Sequence, residues 1–269
     1  MKSVISTTYD DKYLWFLPLV TYCWNKIGVD VICFMPYLNA TDDNRKIDLI
    51  NDTFRQLGIK PQYAGLASPK DKEATYAQCS RLYAACLDLP EDEVLIVGDV
   101  DLMPFKNVFS EIPKEHPYFY VIGADLVPKN QYPMCYLYAR VGTWRSTFEL
   151  DGKTYQQKLD ELLGDIESEH FRGNYWSKDQ ETAYNAISRT MPILVDRSNG
   201  QNQFATHRVD RTDLHWRDRL DHDVIDAHLW RDGFVDENFS QIMELFTFMY
   251  PQDNFDWLTT YRNEYLKLL

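Results

Sequence analysis

Cysteine is scarce in this chain, and its spacing suggests no pairing. The five cysteines stand at 23, 33, 79, 86 and 135, with no Cys-x-x-Cys. Cys79 and Cys86 lie seven apart on a predicted helix and could share a face, but reduced, partly buried thiols in a cytosolic-type compartment are the simpler expectation. Clustered positive charge is also missing. Lysine and arginine number 28 against 41 aspartates and glutamates, a net charge of −13, and no Lys/Arg block occurs. A nucleic-acid or anionic-membrane partner is therefore disfavoured. Long apolar runs are absent as well. The stretch from Tyr13 to Trp24 is too short, and too broken by Pro18, to span a bilayer, so it reads as a buried helix. No basic region precedes an apolar segment near the start, which gives a cytoplasmic expectation. The first strand–helix turn has no glycine fingerprint, and no Gly-x-x-x-x-Gly-Lys-Ser/Thr occurs, so dinucleotide-binding and P-loop readings are disfavoured. A phosphate ligand would have to be held by metal and side chains. Repeats and low-complexity linkers are missing too, and one domain over 1–269 is the default.

Apolar material is plentiful. Hydrophobic residues make up 45% of the 269 positions, enough for a substantial core. The 18 tyrosines and 7 tryptophans suit a carbohydrate surface, because sugar rings stack on aromatic faces, and they suit ordinary core packing equally.

Along the first hundred residues strand and helix signals alternate. Val4–Thr8 reads as a strand, Tyr9-Asp10-Asp11 as a turn with an N-cap, and Tyr13–Lys26 as a helix closed by Gly28. Val29–Met35 is a second strand stopped by Pro36. Asn44–Leu57 has helical apolar spacing and ends at Gly58. A short strand near Gln62–Ala64 and a helix over Lys72–Leu87 follow. This alternation predicts an α/β fold with a mostly parallel central sheet flanked by helices. Later signals are looser. Strands are expected at 118–123, 134–141 and 191–195, and helices over Thr154–Leu163 and from Ser177. Residues 167–175 and 199–219 read as loops, the latter a candidate cover over a site. Two helices, Gln241–Met249 and Phe255–Leu268, form a helical C-terminal segment.

One stretch organises the rest: Glu93-Val94-Leu95-Ile96-Val97-Gly98-Asp99-Val100-Asp101-Leu102-Met103-Pro104. A short apolar run bounded by a breaker reads as a strand buried on both faces. If the extended geometry persists past it, Asp99 and Asp101 point the same way from its carboxyl end, where ligands bind in open α/β sheets. Two crowded carboxylates repel unless a cation lies between them, and oxygen ligands suit magnesium or manganese. The plainer alternative is a pair of turn-capping aspartates after a core strand.

Thr75-Tyr76, Arg81-Leu82-Tyr83, Leu89-Pro90 and Val94 through Asp101 resemble the core of the GT-A-fold glycosyltransferases, above all the glycogenin and bacterial lipopolysaccharide glycosyltransferase group. The resemblance covers roughly residues 70–105 well and the remainder by order of elements. It implies a GT-A-like fold, with 1–105 the nucleotide-sugar-binding half and 106–269 the acceptor-binding half plus C-terminal helices. It implies that Asp99 and Asp101 hold manganese or magnesium with the donor diphosphate, and that Arg81 contacts the donor. Thr7, Tyr9 and Asp10, after the first strand, fall where such folds seat the nucleobase. Trp176-Ser177-Lys178-Asp179-Gln180-Glu181 resembles the segment beside the donor sugar. Asp179 would be the general base of an inverting enzyme, with Glu181 the alternative base and an ordinary first-turn acid the plainer reading. Asp226-Ala227-His228-Leu229-Trp230-Arg231-Asp232-Gly233 resembles the segment whose histidine completes the metal shell. That makes His228 the third ligand and leans the metal toward manganese. No Lys-Pro-Trp follows it, and Arg231 would take the place of the family's phosphate-contacting lysine. UDP is the commonest donor for this pattern, so the expected partners are a UDP-sugar and a glycan or glycoprotein acceptor.

Two other classes compete. His207, His215, His222 and His228, with Asp221-His222-Asp223, suggest a His/Asp metal phosphohydrolase acting on nucleotides or sugar nucleotides. That reading predicts a helical bundle. A non-catalytic glycan-binding protein on the same fold is the third.

Overall fold

The computed structural model describes residues 1–37, 44–113, 117–165, 176–198, 208–220 and 223–269. Its centre is a seven-stranded sheet of order β3-β2-β1-β4-β7-β6-β8. The strands are β1 (Lys2–Ser6), β2 (Asp30–Pro36), β3 (Gln62–Leu66), β4 (Val94–Val97), β6 (Tyr120–Ile122), β7 (Leu137–Arg140) and β8 (Ile193–Val195). β1 is parallel to β2 and β4, β2 to β3, and β6 to β8. Only β7 runs against its neighbours.

Alternation of side chains explains why the first strands read as unbroken apolar runs. Val94 and Ile96 face one core, and Leu95 and Val97 face the other. On β2, Val31, Cys33 and Met35 face the first core, and Ile32 and Phe34 the second. Both faces are covered, as a parallel sheet requires. On one face lie α2 (Leu17–Lys26), α3 (Arg45–Leu57), α8 (Asp236–Met249) and α9 (Asp256–Leu266). The other is covered by α4 (Glu73–Ser80), α5 (Val141–Phe148), α6 (Tyr155–Leu163) and α7 (Lys178–Ile187). The helical-bundle architecture required by the phosphohydrolase reading is overturned by this sheet. His207 and His222 of that reading lie outside the described residues, and His215 is exposed beside Asp218.

Several boundaries differ from those expected. The helix read over 72–87 breaks at Arg81 into a tighter turn, Arg81–Cys86. The strand read to Val141 ends at Arg140, and α5 starts at once. The first C-terminal helix begins at Asp236, ahead of Gln241. The largest difference is a second sheet of three short strands, β5 (Leu102–Pro104), β10 (Asp226–His228) and β9 (Arg208–Asp210), in that order. Strands of three residues carry too little periodic signal to be read locally. The described residues include no helix long and apolar enough to cross a membrane. All five cysteines are free thiols, three of them buried.

Gly233 links the small sheet to α8 in a packed corner. A Cβ there would lie 2.8 Å from both Ile242 Cδ1 and Trp15 Cζ3, and 3.0 Å from Phe16. Gly233→Ala is therefore expected to lower the unfolding free energy by about 1–3 kcal/mol through overpacking. Urea melts would measure it, and an unchanged midpoint would mean the corner yields freely.

Candidate active site

The carboxyl ends of β1 and β4 open onto a cavity of about 600 Å³. Its walls include Thr7, Asp10, Arg81, Asp99, Asp101, Asp179, His228 and Arg231. Tyr9 and Glu181 are not among the lining residues. The Tyr9 hydroxyl donates to the Pro36 carbonyl at 2.7 Å, which braces the turn. Glu181 accepts from the Ser177 hydroxyl at 2.9 Å. Asp10 caps the short helix α1 (Asp11–Leu14), its carboxylate accepting the Lys12 N–H at 2.9 Å while it also borders the cavity.

The extended geometry does not persist through the two central aspartates. β4 ends at Val97, and the Leu102 N–H donates back to the Asp99 carbonyl at 3.2 Å. This turn sends the two carboxylates to different partners, so the expectation that they point together is corrected. Asp99 accepts Arg81 Nη1 at 2.5 Å. Arg81 is no solvated helix charge. It is buried, its Nη1 also donates to the Gly98 carbonyl at 2.8 Å, and its Nη2 donates to Asp179 at 2.7 Å. One guanidinium thus ties the end of β4 to the first turn of α7. Burial pushes the Asp179 carboxyl up, against the opposing pull of Arg81.

Asp101 turns to the small sheet. Antiparallel pairing sets His228 opposite Leu102, and parallel pairing sets Asp210 beside His228. His228 Nε2 consequently lies 3.3 Å from Asp101 Oδ2, and its Nδ1 lies 3.7 Å from Asp210. Arg211 Nη1 donates to Asp101 at 2.7 Å. Burial alone would lower the His228 pKa, but its bonds to Asp101 and Asp210 prevail and hold it at about 9. For Asp101 burial acts upward, and His228 and Arg211 overcome it, to about 2.

By residue type, though not by their present spacing, the donors here suit a divalent ion. Two carboxylates and an imidazole match manganese or magnesium, and Asp210 behind Nδ1 is the kind of outer partner that orients a ligating histidine. Only Asp101 and His228 are already in contact. Asp99 is held by Arg81 through Oδ1. Among the described residues no three Asp, Glu, His or Cys side chains are grouped closely enough to hold an ion.

Trp176 and Gln180, from the segment that resembles the one beside the donor sugar, also line the cavity, as do Lys12, Arg208 and Arg211, which local sequence patterns did not single out for the site. Arg208 reaches it from a buried network. Asp226 receives bidentate pairs from both Arg197 and Arg208, and the Tyr136 hydroxyl at 3.0 Å. The one local signal, polar residues flanking Val209, is too short to read as a strand.

Fold and cavity together define a GT-A-like architecture, with ligand groups gathered at the carboxyl edge of a mostly parallel sheet. Solved glycosyltransferases share it. An active-site mutant of LgtC superposes with a TM-score of 0.54 at 10% identity, covering 91% of this chain and 95% of that one. The galactosyltransferase LgtC in complex with donor and acceptor sugar analogs gives 0.53 at 12%, covering 98% and 100%. The apo glycosyltransferase GlyE of Streptococcus pneumoniae TIGR4 gives 0.50 at 10%, covering 99% of this chain and 63% of GlyE. By sequence, no family model and no curated protein matches.

Proposed function

We propose that the chain is a metal-dependent glycosyltransferase that moves a sugar from a UDP-sugar to a hydroxyl of a glycan or glycoprotein acceptor. The observation that carries this reading is the meeting of Asp99, Asp101 and His228 with Arg81, Arg211 and Arg231 in one cavity of a GT-A-like fold. The likeness to LgtC bound to donor and acceptor sugar analogs supports a sugar donor and a sugar acceptor here too.

In a protein of net charge −13 a diphosphate needs local cations. Lys12 and Arg231 have no carboxylate partner among the described residues, so both are free to meet it. A manganese or magnesium ion held by Asp101, His228 and Asp99 would neutralise charge on the departing nucleoside diphosphate. Thr7 and Asp10 border the nucleotide end, and Tyr9 acts through the backbone it braces. Asp179 is favoured over Glu181 as the base that takes the acceptor proton. It borders the cavity, and burial raises its proton affinity. That assignment leans the reaction toward inversion. Gln180 also faces the cavity, and one of the LgtC structures is an active-site glutamine-to-glutamate mutant.

A thermal-shift panel of nucleotide sugars, with and without manganese, tests the donor. A donor at about 100 times its Kd adds roughly 2.7 kcal/mol, or about 5–10 °C for a domain of this size. The expected result is a UDP-sugar that stands out only with manganese. A panel that moves nothing under either condition removes the reading.

A further inference from the structure

Trp176 is 59% exposed, yet it lines the cavity at the start of α7, the helix that carries Asp179. Core packing does not account for so large an exposed ring. Two neighbours make it part of a built surface. The Arg231 guanidinium lies 5.8 Å from the Trp176 ring centroid and 5.4 Å from that of Tyr13. Tyr13 is on α1, and Arg231 follows β10, its carbonyl held by Asn238 Nδ2 at 2.7 Å. Three separate segments therefore bring two aromatic rings and a cation together at the cavity. The guanidinium has no carboxylate partner among the described residues, so its N–H groups remain available to a ligand.

We infer that Trp176, Arg231 and Tyr13 form the acceptor subsite, with the terminal pyranose ring of a glycan stacked on Trp176 and its hydroxyls receiving hydrogen bonds from Arg231. This deepens the glycosyltransferase reading and rests on it. The electron-rich face of an indole attracts the polarised C–H face of a sugar ring, and a guanidinium offers five donors to hydroxyls. The acceptor, rather than the donor, fits this position. The donor diphosphate belongs beside Asp99 and Asp101 at the sheet edge, whereas Trp176 lies open to solvent on the same cavity, three residues before Asp179, the group proposed to take the acceptor's proton. Arg231, with five N–H donors, then serves the acceptor as well as the phosphate.

The test is binding of the full chain, with UDP and manganese present, to a printed glycan array, comparing wild type, Trp176→Ala and Trp176→Phe. Stacking predicts a loss of about tenfold or more in glycan affinity for alanine, and retention within about threefold for phenylalanine. Because Trp176 is exposed, the melting temperature of both variants should match wild type, and the thermal shift with UDP-sugars should be unchanged. Equal glycan binding by Trp176→Ala overturns the inference, as does a wild type that binds no glycan, or an alanine variant that loses donor and glycan together. If no nucleotide sugar shifts the wild type while glycans bind through Trp176, the donor reading fails and the platform stands.

Discussion

Asp226→Ala is expected to lower the unfolding free energy by about 3–5 kcal/mol, because it strands the buried guanidinium of Arg197 and the partly buried one of Arg208 without their carboxylate. Asp226 is 1% exposed and is gripped by Arg197 and Arg208 at 2.8 to 3.1 Å. Burial by itself would push the Asp226 carboxyl up, and the two arginines overcome it and hold it well below the usual carboxylate range. The direction fixes the pH dependence. A depressed carboxyl contributes stability that is full above its unfolded pKa of about 3.9 and is lost as pH falls through the folded value. Asp226→Asn keeps the shape and removes the charge. Its deficit against wild type should therefore be constant near neutrality and shrink below about pH 4. Urea melts at several pH values measure both effects. A deficit that does not change down to about pH 2 would show that charge is not what Asp226 contributes. The consequence reaches the site, since Arg208 lines the cavity and Asp226 holds it there.

The second large effect concerns turnover. Asp101→Asn is expected to reduce kcat/KM for sugar transfer about 100-fold or more, roughly 2.7 kcal/mol of lost transition-state stabilisation. Asparagine fills the same space but removes the charge shared with His228 and Arg211. The fold should persist, and so should binding to a glycan array. That pattern separates an enzyme from a glycan-binding protein on the same fold. Transfer within about threefold of wild type would remove Asp101 from the chemistry.

Much of the architecture was legible because it is written in neighbouring residues. Val94 through Val97 announce a strand buried on both faces, and both faces are covered. Pro36, Gly28 and Gly58 closed their elements where expected. Arg81, read from a resemblance, is buried between Asp99 and Asp179. The direction of the two aspartates was not legible. Extrapolating the strand past Val97 sets them side by side, whereas a turn divides them between Arg81 on one side and Arg211 with His228 on the other. Arg211 and Arg208 were not legible as site residues either, because their partners are far away in sequence.

Local order alone was enough for the α/β class and the central parallel strands, since an unbroken apolar run between breakers, or an apolar stripe at helical spacing, depends only on nearby residues. The cavity's wiring was decided by the small sheet. Pairing of β5 with β10, and of β10 with β9, sets Leu102, His228 and Asp210 across from one another, and the side chain of Asp101, just before Leu102, then meets His228 at 3.3 Å. Such pairing is a bond between distant backbones, set once the large sheet and its helices have brought those backbones together, and three-residue strands leave no trace of it in the local order of residues.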